Sequence, residues 1–127
     1  MFETKSLPSK PDVAAPDGSD VRILLSLKGG SMAHFELAPG KTSIAVAHHT
    51  VEEIWYFLSG EGEMWRKLDG LEEVVSVSAN IAITIPRGTH FQFRSTGSAL
   101  LAAIAVTMPP WPGEGEAYFV EGHWDAN

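Results

Sequence analysis

The chain has 127 residues, 44% of them apolar, with nine basic against sixteen acidic side chains and a net charge of −7. That length suits one domain with one core. The acidic balance excludes the basic face expected of a nucleic-acid binder and disfavours docking on an anionic membrane; the absence of cysteine excludes disulfides, thiolate metal sites and a cysteine nucleophile. Met1 to Lys10 has no apolar segment of the secretion-signal kind, and no apolar run is long enough to span a bilayer. The expectation is a soluble cytoplasmic protein.

Met1 to Asp20 carries Pro8, Pro11, Pro16 and the pair Asp17-Gly18, so it reads as an arm, ordered at least in part and able to add to a neighbouring subunit. Val21 to Leu27 is a strand ended by Gly29-Gly30. Ser31 to Leu37 is a second, with Ala33, Phe35 and Leu37 on its apolar face and His34 on the other. Thr42 to Ala47 is a short strand leading into His48-His49-Thr50-Val51-Glu52-Glu53. The run that follows alternates: Glu53, Trp55 and Phe57 share one face, Ile54, Tyr56 and Leu58 the other. Both faces are largely apolar, which predicts a strand buried on both sides.

Gly62 to Leu68 and Leu71 to Val77 flank Asp69-Gly70, the signature of a hairpin with a type I′ turn. Ile81 to Ile85 closes at Pro86-Arg87-Gly88. In His90 to Arg94, Phe91 and Phe93 take one face and His90, Gln92 and Arg94 the other. Ala99 to Thr107 is an apolar strand. The prolines of Met108-Pro109-Pro110-Trp111-Pro112-Gly113 forbid regular structure there, and Ala117 to Glu121 reads as a last edge strand. About ten short strands and no helix predict an all-β sandwich or barrel, closed so that no sheet edge is left open.

The chemistry gathers around His48 to Glu53. Imidazole and carboxylate within a few residues are the donor types of a divalent metal site. A carboxylate entering a buried strand needs either a metal or a hydrogen-bond donor. Glu52 reads as solvent-facing by alternation. Trp55, Phe57, Phe91 and Phe93 read as core residues, or as the lining of a pocket for an apolar ligand. Trp111 and Trp124 lie in the irregular tail, as a lid on the barrel mouth or as parts of a dimer interface, and His123 reads as solvated.

These residues resemble the motifs of the cupin superfamily. The first cupin motif runs from a glycine over five residues to a His-x-His pair, then three or four residues, a glutamate, six residues and a glycine. This chain has Gly40, a histidine at 48 or 49, Glu53, then Ile54 to Ser59 and Gly60. The second motif, Pro-x-Gly-x-x-His, is approached by Pro86-Arg87-Gly88-Thr89-His90-Phe91. The resemblance implies an all-β, cupin-type jelly-roll β-barrel (a double-stranded β-helix). The barrel would span residues 21–107, with an arm at 1–20 and a tail at 108–127 packing on the barrel or at a dimer interface. The group it looks like is that of small single-domain bacterial cupins.

The departures are specific. One histidine of the first pair falls on Val46 or Ala47, and in the second motif the histidine comes one residue early, so that Phe91 takes its place unless a bulge at Gly88-Thr89 turns His90 inward. The register of Gly40 favours His48 as the surviving ligand; strand parity favours His49. Asn80 falls where the second motif opens on a glycine. Two functions follow from the resemblance. One is a metal-dependent enzyme acting on a small organic molecule, with His48 (or His49), Glu53 and His90 holding one divalent ion, Zn, Fe, Mn or Ni. The other is a metal-free module that binds a small ligand without catalysis. A homodimer, with no nucleic-acid or membrane partner, is expected in either case.

Overall fold

The computed structural model describes residues 1–15 and 17–127. Among them there is no helix. The chain forms eleven strands: β1 (Val13–Ala14), β2 (Asp20–Leu27), β3 (Gly30–Leu37), β4 (Val46–His48), β5 (Glu52–Ser59), β6 (Glu61–Leu68), β7 (Leu71–Ser78), β8 (Ala82–Ile85), β9 (His90–Ser95), β10 (Leu101–Met108) and β11 (Ala117–Phe119). They build a six-stranded sheet in the order β1-β2-β3-β10-β5-β8 and a five-stranded sheet in the order β11-β4-β9-β6-β7. Every pairing between named strands is antiparallel. This is the jelly-roll barrel, with strands of one half returning to the other sheet.

The inward faces follow period two. Trp55 and Phe57 of β5 meet Phe91 and Phe93 of β9, and all four are almost fully buried. Trp55 sets its ring edge-to-face on both phenylalanines of β9, with centroids 6.0 and 5.2 Å away, and stacks on Phe35 of β3 at 5.1 Å. Aromatic pairs of this kind contribute beyond the area they bury. Met64, Ile83, Ile85, Leu37 and Leu101 fill the rest of the core.

Turn chemistry fixes the register. Asp69 and Gly70 both have positive φ, 50° and 82°, as the type I′ hairpin between β6 and β7 requires. Asn80 also has a positive φ of 74°. It supplies the left-handed conformation for which the family motif uses glycine, and asparagine is among the few other residues that adopt it readily. At Gly60 a side chain has no room: a Cβ would lie 2.3 Å from the Leu100 carbonyl oxygen.

The outer face of β5 departs from expectation. Ile54, Tyr56 and Leu58 are exposed, so the strand is buried on one side only. The neighbouring outward residues of β10, Ile104 and Val106, are half-buried and pair with Tyr56 and Ile54. Alternation alone identifies two apolar faces but not which of them the chain itself covers.

The arm packs on its own barrel. Val13 and Ala14 pair with Val21 and Asp20. The guanidinium of Arg22 donates to the carbonyls of Pro8 and Ser9, at 2.8 and 3.2 Å, and to Glu36 at 2.6 Å. His34 faces outward beside Arg22, yet it is buried.

The tail crosses the outside of the five-stranded sheet. Gln92, buried on that face, donates from Nε2 to the carbonyls of Ser43 and Trp124 and accepts at Oε1 from the amides of His123 and Trp124. Arg94 stacks over the Trp124 ring at 4.3 Å, and His123 lies against Trp65. Trp124 is therefore bound to the outer sheet surface and does not reach the barrel mouth.

Candidate functional site: a cavity at the barrel mouth

A cavity of about 300 Å³ opens at one end of the barrel. Its wall is mainly apolar, with Phe35, Trp55 and Phe91 from the two sheets and Trp111 from the tail. Its polar groups are Asp17, His48, Glu53 and Thr107, with Ser26 and Ser31 toward β2 and β3. Among the described residues no lysine or arginine lines it. A mostly apolar hollow with a few convergent polar groups is the usual form of a small-molecule site.

Each polar group is placed by its strand. Glu53 is the second residue of β5 and points inward with Trp55; it is 4% exposed. Its Oε1 accepts from the Trp55 indole N–H at 3.1 Å, and its Oε2 pairs with the Thr107 hydroxyl of β10 at 2.6 Å. Burial pushes the carboxyl above its usual range, against the hydrogen bonds from Thr107 and Trp55, which favour the charge.

His48 ends β4 and is 6% exposed. Its Nδ1 lies 3.8 Å from Glu53 Oε1, beyond hydrogen-bond distance, and has no other partner among the described residues. The ring sits edge-on between Phe91, at 5.3 Å, and Trp111, at 5.1 Å. Burial lowers its pKa, outweighing the pull of Glu116 and Asp17, and so favours the neutral imidazole.

Asp17 comes from the arm, in the turn before β2, and is buried. Its Oδ1 accepts from the Ser19 amide and hydroxyl, at 2.9 and 2.6 Å. Burial raises its pKa despite those two bonds, and the charge of Glu53 adds to the rise. Asp17 was not singled out as a site residue by sequence. The only local signal was an Asp-Gly turn at the end of a proline-containing arm, and its role depends on the arm folding back over the mouth.

The predicted ligands do not converge. His48 and Glu53 share the cavity, but His90 is on the opposite face of β9, half-buried and paired with Lys67 of β6. The pairing of β6 with β9 runs without a register shift from His90 to Ser95, and Phe91, not His90, lines the cavity. His49 leaves the cavity altogether and stacks on Tyr118 at 4.3 Å. Among the described residues no three of His, Asp or Glu are grouped so as to hold a metal ion. Of the four aromatics expected to line a pocket, Trp55 and Phe91 do so; Phe57 and Phe93, one step further along their strands, lie in the core below it.

The loop beside His48 is held from the tail. The Glu116 carboxylate accepts from the Thr50 amide (2.8 Å), the Thr50 hydroxyl (2.6 Å) and the Val51 amide (3.0 Å). Burial works to raise this carboxyl, but the three donors outweigh it and hold it below the usual range. Five residues earlier, the Trp111 amide donates to the Ser31 hydroxyl at 3.0 Å. The tail is thus fixed at Trp111, which lines the mouth, and again at Glu116.

The chain belongs to the cupin family: the cupin domain pattern matches residues 33–107. It is 31% identical over 123 residues to the uncharacterised protein MJ1618 of Methanocaldococcus jannaschii, an alignment that covers 90% of this chain and 95% of the relative. In fold it is similar to an uncharacterised Klebsiella pneumoniae protein with a double-stranded β-helix domain, with a TM-score of 0.72 and 16% identity over 96% of this chain and all of the other. It is also similar to an oxalate oxidase, with a TM-score of 0.74 and 24% identity over 92% of this chain and 63% of that one. A predicted oxalate decarboxylase from Thermotoga maritima gives a TM-score of 0.61 and 26% identity over 72% of this chain and 80% of that one.

Proposed function

We propose that this cupin binds a small, largely apolar organic molecule through its own side chains, without a resident metal ion. The observation that carries this reading is Glu53. Each of its oxygens already has a hydrogen-bond donor, Trp55 or Thr107, so the buried carboxylate is satisfied without a metal and keeps a further acceptor position on each oxygen inside a cavity with mainly apolar walls. The places where the motif resemblance would set further histidines hold Phe91 and either Val46 or Ala47. Small dianions, such as the oxalate in the names of two fold neighbours, meet no lysine or arginine on this wall.

The test is metal content by mass spectrometry, on protein purified without a histidine tag or chelator and then offered Zn²⁺, Mn²⁺, Fe²⁺ or Ni²⁺. The expected result is well under one ion per chain. One tightly held ion per chain, lost in Glu53→Gln, would overturn the reading in favour of a metal-dependent cupin.

We further propose that the barrel pairs with a second copy through the outer face of β5 and β10. Ile54, Tyr56, Leu58, Ile104 and Val106 form an uncharged apolar strip there. In a chain of net charge −7, an uncharged strip opposed by its own two-fold copy avoids like-charge repulsion.

A further inference from the structure

We infer that the cavity takes a small organic cation: a primary ammonium whose N–H groups meet Asp17, Glu53 and the free Nδ1 of His48, with its apolar body against Trp55, Phe35 and Trp111. This deepens the small-ligand reading above and rests on it.

Three observations point the same way. First, two buried carboxyl groups, Asp17 and Glu53, share one cavity without a basic partner. The four ion pairs among the described residues involve Arg22, Arg66, Arg94 and His48, and the last joins Glu53 only to a buried imidazole at 3.8 Å. Buried carboxylates are ordinarily paired. Here the missing positive charge is one that a ligand can bring.

Second, His48 Nδ1 is a buried polar atom with no partner, facing Glu53 Oε1 across 3.8 Å. With its proton on Nε2, a neutral imidazole offers Nδ1 as an acceptor, and the carboxylate opposite is an acceptor too. A donor set between them satisfies both, and an ammonium has three donors for the three side chains.

Third, the remaining wall is aromatic: Trp55, Trp111, Phe35 and Phe91. Aromatic faces attract a cation through the ring quadrupole, tryptophan most strongly, and more so when the site is dry. An anion meets the two carboxyl groups and, among the described lining residues, no basic side chain. A neutral alcohol can reach His48 but leaves both carboxyl groups without a counter-charge.

The experiment is a tryptophan-fluorescence titration at neutral pH and fixed ionic strength. The probes are benzylamine, benzyl alcohol and benzoate, and their butyl counterparts. The expected order is amine, alcohol, carboxylate, with the amine at least about tenfold tighter than its alcohol. Asp17→Asn and Glu53→Gln should each remove most of that preference, bringing the amine to within about twofold of the alcohol in the same variant. Both substitutions keep the side-chain shape, and circular dichroism checks the fold. If alcohol and amine bind equally, and Trp111→Ala weakens both, the cavity is a small-molecule site but the cation inference fails. An amine preference unchanged in both carboxamide variants also overturns it. If no probe binds at millimolar concentration, the cation inference and the small-ligand reading fall together.

Discussion

Thr50 donates from both its amide and its hydroxyl to the carboxylate of Glu116, across 66 positions of sequence. The pair joins the loop that follows His48 to the tail that carries Trp111. Because those donors hold Glu116 below the usual glutamate range, the stabilising contribution is complete above that range and is lost as pH falls through the lowered value. Glu116→Gln should therefore flatten the acid side of the melting-temperature profile, and Glu116→Ala should lower stability at neutral pH by about 1–3 kcal/mol, the cost of losing three hydrogen bonds of which the one from Val51 is buried. Thermal melts from neutral pH down to about pH 3 would check both. Equal acid slopes in the native and Gln proteins would show that the clasp carries no charge-dependent stability.

Asp17 predicts the opposite sign. Its carboxyl is raised by burial, so the folded chain holds that proton over a pH range where the unfolded chain has lost it. Stability falls as pH climbs from the usual aspartate value to the raised one. Asp17→Asn keeps an oxygen for the two Ser19 donors and removes the buried charge. It should melt higher than the native protein at neutral pH, with the difference vanishing below the usual aspartate value. A lower neutral-pH melting point would show that Asp17 is well compensated in the empty cavity.

Phe91 stands beside His48, with ring centroids 5.3 Å apart, where the family resemblance would place a metal-binding histidine. Phe91→His should give the cavity a third donor beside His48 and Glu53 and raise bound transition metal toward one ion per chain. Replacing a buried aromatic should also cost stability, about 3–5 kcal/mol if little of the ring's packing is recovered. Mass spectrometry of the variant after metal reconstitution measures the gain. No gain in a folded variant would mean that the Trp55 and Thr107 bonds keep Glu53 out of the coordination sphere.

The outer face of β5 predicts an assembly. Ile54→Asp together with Leu58→Asp should turn a dimer into a monomer in sedimentation velocity, while each subunit remains folded, because both side chains project from an exposed face. A native protein that is monomeric at tens of micromolar would remove the proposed interface.

Much of the fold could be read from local chemistry. Asp69-Gly70 announces its own turn, and Trp55, Phe57, Phe91 and Phe93 announce two inward faces because the period-two rule acts within a strand. What the chain does with a face once it is made is a tertiary matter. Ile54, Tyr56 and Leu58 look as apolar as their neighbours, yet among the described residues no other segment covers them. His90 shows the same limit at higher resolution. Its chemistry suits a ligand, and a single step of strand phase decides against it. Half of the site was legible, since His48 and Glu53 lie in the motif. Asp17 was not, because His48 and Glu53, the polar groups with which it shares the cavity, are more than thirty positions away in sequence and nothing near it announces them.

The cavity has two kinds of wall. The floor, from His48 to Thr107, belongs to the stretch that matches the family, residues 33–107, whereas Asp17 and Trp111 lie outside it. Ligand preference is therefore shared between the barrel, which supplies His48 and Glu53, and two flanking segments outside the family stretch, which supply Asp17 and Trp111. The flanks can vary while the barrel stays constant. Grafting the segments that hold Asp17 and Trp111 onto a cupin that keeps a histidine and a glutamate at the positions of His48 and Glu53 would measure how much of the preference the flanks carry.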